Sequence, residues 1–266
     1  MVAFRTISNW RLRKLVMGKD WDESAAAWIK SLGGKGDFGR RRVLDRPMLA
    51  RLEKRRFGYA LDVGCGEGRF CRMMRQHGIG ATGLDPTSKL IDRAISLDRE
   101  GDYILGKAED IPFPDEHFEL VVSYLSLIDI QDYRKAIAEM VRVLQPGGTL
   151  LVANMTSFKT AVRRRNIVRQ WVGSQFGYPV AGYSEERANW ESWRGIRVRN
   201  WHRPLSAYMQ TFLGAGLELR HFDEPVIADP MNERELRYNE APWFLIMEWQ
   251  KPTTPIAAGV SSDNRR

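Results

Sequence analysis

The chain has 266 residues, room for one α/β domain of ordinary size with elaborations. Its 43% hydrophobic content supports a real core, and no apolar run reaches the length of about 18 residues that would signal a membrane span. The net charge is +8, and the two cysteines, Cys65 and Cys71, lie too close together for a disulfide framework. A reducing, cytoplasmic setting is the expectation.

Residues 1–19 carry Arg5, Arg11, Arg13, Lys14 and Lys19 with no acid. A transit peptide has that composition, but there is no apolar core of a secretory signal, and a surface helix preceding the fold is expected. Trp21-Asp22-Glu23-Ser24-Ala25-Ala26-Ala27-Trp28 also reads as helix, so residues 1–55 are expected to form an N-terminal helical cap. Asp37 and the run Arg40-Arg41-Arg42 follow and read as a solvated basic turn.

Tyr59 to Val63 is a short apolar run of the buried parallel-strand type. Gly64, Gly66 and Gly68 then allow a tight turn and close approach of a ligand to the backbone. A helix is expected from near Glu67, with the positive end of its dipole facing the loop. Arg69 stands where a dinucleotide fingerprint would place its last glycine, and the Gly-Lys followed by Ser or Thr of a P-loop is absent. Gly80 to Asp85 is a second strand, ending in a carboxylate 23 residues after Asp62. An acid at that tip is placed to grip a ribose hydroxyl pair.

Residues 103–113 end a third short strand in a polar turn. Phe118 to Tyr124 is a fourth, buried strand. An amphipathic helix follows, with Tyr133, Ile137, Met140, Val141 and Leu144 on one face. It is broken at Gln145-Pro146-Gly147-Gly148, before a fifth strand over residues 149–154. Residues 156–203 hold ten Lys or Arg against three Glu, together with Trp171, Trp190, Trp193 and Trp201. The tail, residues 251–266, is rich in Pro, Ala, Ser and Gly and reads as disordered.

The ordered motifs D-x-G-x-G-x-G from Asp62, G-L-D ending at Asp85, A-E-D-x-P-F from Ala108, F-E-L-V-V-S from Phe118 and L-Q-P-G-G-T-L-L-V from Leu144 carry a family likeness. Over residues 58–155 the chain resembles the class I S-adenosylmethionine-dependent methyltransferases of the type 11-like group. The resemblance implies an α/β, Rossmann-like, seven-stranded and mostly parallel sheet with helices on both faces, occupying residues 56–250. Its last two strands would be residues 217–222 and 243–249, the final one antiparallel. Residues 156–203 would be a helical lid inserted between the fifth and sixth strands.

S-adenosyl-L-methionine is the implied cofactor, bound at the carboxyl ends of the strands by Asp62, Gly64, Cys65, Gly66, Asp85, Pro86, Ala108, Glu109 and Ser123. Asp62 would approach the cofactor's amino group or order the glycine loop, and it also reads as a cap of the following helix. An arginine of the Arg40 run could reach the cofactor's carboxylate. Lys107 departs from the family's acidic or amide residue before the alanine, leaving the adenine to Glu109, Asp110 or the Ala108 backbone. No metal is implied.

Tyr124, Asp129 and His202 are the candidate catalytic residues. Asp129 reads first as the cap of the helix around Tyr133, and His202 reads equally as a structural hydrogen-bond partner before Pro204, although a near-neutral imidazole suits proton removal. The basic, tryptophan-rich insertion fits a lid over a small aromatic or anionic acceptor. It also fits a nucleic-acid surface. The small-molecule acceptor is preferred, because no RNA-binding module and no Asn-Pro-Pro-Tyr type of motif is present. A non-catalytic cofactor-binding adaptor is the remaining alternative.

Overall fold

The computed structural model describes residues 19–33, 36–162, 171–172, 175–176 and 180–253. The expectations for the basic stretch before residue 19, for Arg163, Arg164, Arg165 and Arg169, for the side chain of Trp171 and for the tail from residue 254 fall outside the described residues.

The described chain begins with α1 (Lys19–Leu32), a wide π-helical turn (Arg40–Leu44) and α2 (Asp45–Leu52). Next come β1 (Tyr59–Val63), α3 (Arg69–Gln76), β2 (Gly80–Asp85), α4 (Ser88–Leu97), β3 (Asp102–Leu105), β4 (Phe118–Tyr124), α5 (Tyr133–Val143) and β5 (Leu144–Met155). After α6 (Ser157–Ala161) come the two-residue strands β6 (Trp171–Val172) and β7 (Gln175–Phe176), and the hairpin β8 (Arg187–Trp193) and β9 (Ile196–His202). The chain closes with α7 (Leu205–Gly214), β10 (Glu218–Asp223), α8 (Glu233–Glu240) and β11 (Phe244–Gln250).

Seven strands form one sheet in the order β3-β2-β1-β4-β5-β11-β10. β1 to β5 pair in parallel, and β11 lies antiparallel to both of its neighbours. The architecture is therefore the expected Rossmann-like α/β sheet.

The alternation of strand residues explains why both faces are covered. Leu61, Val63, Val121, Leu150, Val152, Leu245 and Met247 point to one side, against Tyr133, Ile137 and Met140 of α5 and Phe212 of α7. Ala60, Leu120, Val122, Leu151, Ala153 and Ile246 point to the other, against Met48 and Leu52 of α2 and Phe70, Cys71 and Met74 of α3. Continuous apolar runs of this kind are what a sheet buried on both faces requires. α5 starts on Asp132, whose carboxylate accepts from the Lys135 amide.

The insertion differs from expectation. Where a helical lid is predicted, the described residues give one short helix, α6, then the paired β6 and β7 and the antiparallel hairpin β8–β9, in which Trp190 pairs with Arg199 and Trp193 with Ile196. Its turn is Arg194-Gly195, both at positive φ (47° and 82°), the backbone twist that a two-residue hairpin loop favours. α1 packs on β9 through Ser24, whose hydroxyl donates to the Arg197 carbonyl and accepts from the Arg197 amide.

Candidate functional site

The strand order reverses between β1 and β4, and the loops after these two strands meet there. Open α/β sheets gather ligands at such a crevice. Gly64 has φ 78°, and a Cβ on it would lie 2.3 Å from Cβ of Ser126, in the loop after β4. The amide of Gly64 donates to the Leu84 carbonyl (2.7 Å), and the Ser126 hydroxyl donates to the Val63 carbonyl (2.6 Å). These bonds tie the ends of β1, β2 and β4 together. Gly66, at φ 56°, has open space where a side chain would be.

Around this crevice lies a cavity of about 280 Å³, lined by Gly64, Gly66, Asp85, Pro86, Ala108 and Glu109 among others. Lys107 also lines it, beside the adenine-side residues expected from sequence. Asp85 is buried at the end of β2. Its Oδ2 accepts from the Gly66 amide (2.9 Å) and its Oδ1 from the Thr87 amide (2.8 Å). Burial pushes its pKa up, and these two N–H groups oppose the rise. Each carboxylate oxygen has further lone-pair capacity, so the backbone aims the group without exhausting it.

A smaller cleft of about 60 Å³ continues past Gly64 and Gly66 to Asp62, Cys65, Arg40 and Tyr124. Asp62 is buried; Oδ2 accepts from the Cys71 thiol, while Oδ1 has no hydrogen-bond partner. Desolvation drives its pKa up to about 7. The expected helix-capping role is not what is seen, because α3 starts at Arg69, after Gly68, without any side-chain cap.

A larger cavity, about 540 Å³, lies beside the first. The two have Trp21, Trp28, Arg40, Leu125 and Asp129 in common. Leu125 adopts a left-handed φ of 58°, an unfavourable backbone for a leucine and one that concentrates at ligand sites. Within the Arg40 run, Arg41 and Arg42 are exposed as a solvated turn requires, but Arg40 is not. Arg40 lines all three spaces, binds Asp37 and stacks over Trp28 and Tyr124. Arg42 instead pairs with Glu235 of α8 at 2.9 Å.

Asp129 accepts from the side chains of Asn200 and Trp21. Desolvation raises its pKa to about 7, against the Asn200 bond and the Arg40 charge. It does not cap α5, since Asp132 does. Asp129 therefore sits in the wall between the two cavities, available to both.

Three expected residues do not play the parts expected of them. His202 is fully buried, with Nδ1 bonded to the Thr160 hydroxyl (2.8 Å) and Nε2 to the Tyr183 carbonyl (2.9 Å), and it lines none of these cavities. Burial lowers its pKa and keeps the ring neutral, but with both nitrogens bonded and no access to these cavities it is a structural bridge rather than a base at the crevice. Tyr124 reaches the cleft, but its hydroxyl donates to Asp45 (2.9 Å) and burial holds its pKa well above the ordinary value. A phenol in that state does not take up a proton. Ser123 is fully buried, lines none of these three cavities, and shares a hydrogen bond with Ser126, the residue that does face the crevice.

Arg203 was hidden among the lid's cations. Its guanidinium is buried and donates to the carbonyls of Leu127, Ile130 and Gln131, while the Trp201 amide donates to Ile128. The end of β9 thus clamps the loop that carries Asp129. A lone arginine directly before Pro204 was the available signal, but only tertiary contacts distinguish it from its solvated neighbours.

A family model described as a methyltransferase domain matches residues 61–152. A malonyl-[acyl-carrier protein] O-methyltransferase of Salmonella typhimurium is 26% identical over 199 residues, 74% of this chain and 78% of the relative. A ubiquinone/menaquinone biosynthesis C-methyltransferase of Francisella tularensis subsp. novicida is 32% identical, over 48% of this chain and 55% of that protein. The crystal structure of an S-adenosylmethionine-dependent methyltransferase from Mesorhizobium loti shares the fold, with a TM-score of 0.65 at 22% identity, covering 77% of this chain and 96% of that one. The stretch that matches the methyltransferase domain, residues 61–152, contains the glycine crevice at the strand switch, and over it the chain is similar to S-adenosylmethionine-dependent methyltransferases.

Proposed function

We propose that the protein transfers the methyl group of S-adenosylmethionine to an oxygen or nitrogen of a small-molecule acceptor held in the 540 Å³ cavity. The observation that carries this reading is Asp129, a carboxylate with a pKa near 7 in the wall shared by the two cavities. The relatives include both an O- and a C-methyltransferase, which supports methyl transfer without choosing the atom. A carboxylate base favours a nucleophile that must lose a proton.

The residues present fit the cofactor. Asp62 Oδ1, buried and unpartnered, matches an ammonium donor, and Gly66 leaves open the space that a Cβ would fill. Asp85 would accept from the ribose hydroxyls, Ala108, Glu109 and Pro86 would flank the adenine, and Arg40 would face the carboxylate. When bound, S-adenosylmethionine supplies an electrophilic methyl on a sulfonium. The protein's part is to hold the acceptor in line and exclude water, which contributes on the order of 7–11 kcal/mol. Asp129 removes the acceptor's proton, an effect of roughly 10²–10⁴-fold.

Calorimetry with S-adenosylhomocysteine tests the cofactor half. Asp85→Ala removes a charge-assisted acceptor and should weaken binding by about 10- to 100-fold. Unchanged affinity would refute the assignment. Labelled-methyl transfer into fractionated metabolites and RNA tests the acceptor half. The exposed Trp190, with the Arg197 guanidinium 4.1 Å from its ring centre, keeps RNA as the rival acceptor. Label in RNA, with binding that falls steeply with salt, would overturn the small-molecule reading.

A further inference from the structure

The larger cavity is chemically asymmetric. At the side shared with the cofactor cavity stands Asp129. Other parts of its lining, none of which touch the cofactor cavity, form an aromatic wall: Tyr238 lies 5.1 Å from Phe38 and stacks on Trp243 at 4.5 Å between ring centres. Each end of that wall carries a cation. The Arg234 guanidinium lies 3.9 Å from the Phe38 ring centre, and Lys159 Nζ lies 3.9 Å from that of Trp243.

A guanidinium or ammonium stacked on a ring keeps its position while presenting N–H donors to a ligand. Acids also line this cavity: Asp37 is paired with Arg40, and Glu191 is a third carboxylate beside Asp129. They are outnumbered by Arg40, Arg41, Lys159, Arg194 and Arg234. An anionic group next to Asp129 would meet a carboxylate, whereas at the aromatic wall it meets Lys159 and Arg234, the acid whose charge reaches Tyr238 there, Asp37, being paired with Arg40.

We infer that the acceptor is a flat or apolar molecule bearing an oxyanion, carboxylate or phosphate, which Lys159 and Arg234 hold across the Phe38–Tyr238–Trp243 wall while its nucleophilic end faces Asp129. This rests on the methyltransferase reading above and adds the class of acceptor.

The test uses three probes with one ring system: 1-naphthol, 1-naphthoate and 1-naphthyl phosphate. Their binding to the full chain is measured by calorimetry with and without S-adenosylhomocysteine. One or both anions should bind about tenfold or more tightly than naphthol, the scale of one charge-assisted hydrogen bond. The tighter of the two identifies carboxylate or phosphate as the natural group. The double variant Lys159→Gln, Arg234→Gln should lose the advantage while keeping naphthol and S-adenosylhomocysteine affinity, and Lys159→Arg, Arg234→Lys should retain it. Equal affinities for naphthol and both anions, or an advantage that survives the double glutamine variant, would overturn the inference. Failure of the wild-type chain to bind S-adenosylhomocysteine would instead overturn the methyltransferase assignment, and the anion comparison on the protein alone remains readable.

Discussion

Three buried or half-buried carboxylates divide the chemistry of the site. Asp85 is fixed by two backbone amides, so its geometry is set before any ligand arrives. Asp62 accepts from the Cys71 thiol and Asp129 from the side chains of Asn200 and Trp21, and desolvation lifts both to about 7. In the unfolded chain they would titrate near 3.8, so across the interval between 3.8 and about 7 the folded protein holds protons that the unfolded chain has released. Their contribution to stability is full below the lower value and is lost as pH rises through the upper one. Urea unfolding across that interval should therefore show a decline that Asp62→Asn and Asp129→Asn each flatten; a decline unchanged in both variants would contradict the shifts. In turnover the sign reverses, because a base must be ionised to act. kcat/KM should rise with pH through about 7 and level off. Asp129→Asn should remove that limb and lower the plateau by roughly 10²-fold or more. A retained limb would transfer the role to another group.

At the scale of elements, the β8–β9 hairpin and the loop after β4 form one unit through Arg203. Replacing it by lysine keeps the charge but loses the planar fork that serves the Leu127, Ile130 and Gln131 carbonyls. Arg203→Lys should cost about 2–4 kcal/mol in unfolding free energy. It should also shift the pH limb assigned to Asp129, which a purely structural loss elsewhere in the core would leave in place.

β1, β2 and β4 were legible in the sequence to their terminal residues, since each is an apolar run that stops at a polar or glycine-rich turn. The hairpin was not. β8 reads Arg187-Ala188-Asn189-Trp190-Glu191-Ser192-Trp193, an alternation without an apolar face, because one side lines a cavity and the other meets water. Only Arg194-Gly195 marked its turn. The same logic separates Asp85 from His202. The position of Asp85 follows from strand order, whereas the burial of His202 depends on Thr160 and Tyr183, which sequence spacing does not bring together.

Over the whole molecule, the residues proposed to grip the donor, Gly64, Gly66 and Asp85, stand at the sheet's own strand ends, while α1, Arg40 and the β8–β9 hairpin contribute to both cavities. Phe38, Arg234 and Tyr238, which line only the proposed acceptor cavity, come from the segment before the Arg40–Leu44 turn and from α8, outside the parallel core. On the proposed reading the donor grip is tied to the sheet, and these acceptor walls can change side chains at little expense to the core.

Trp21, Trp28, Arg40, Leu125 and Asp129 are a party wall, common to both compartments. The consequence is an opportunity for inhibition: a single tethered compound, joining an S-adenosylhomocysteine unit to a naphthyl anion by a short linker, would occupy both at once. Its second half would bind at the effective concentration set by the linker, so its affinity should exceed that of either half by roughly 10²–10⁴-fold. Competition calorimetry of the tethered compound against its two fragments measures that gain, and affinity no better than the tighter fragment would mean that the wall separates the compartments.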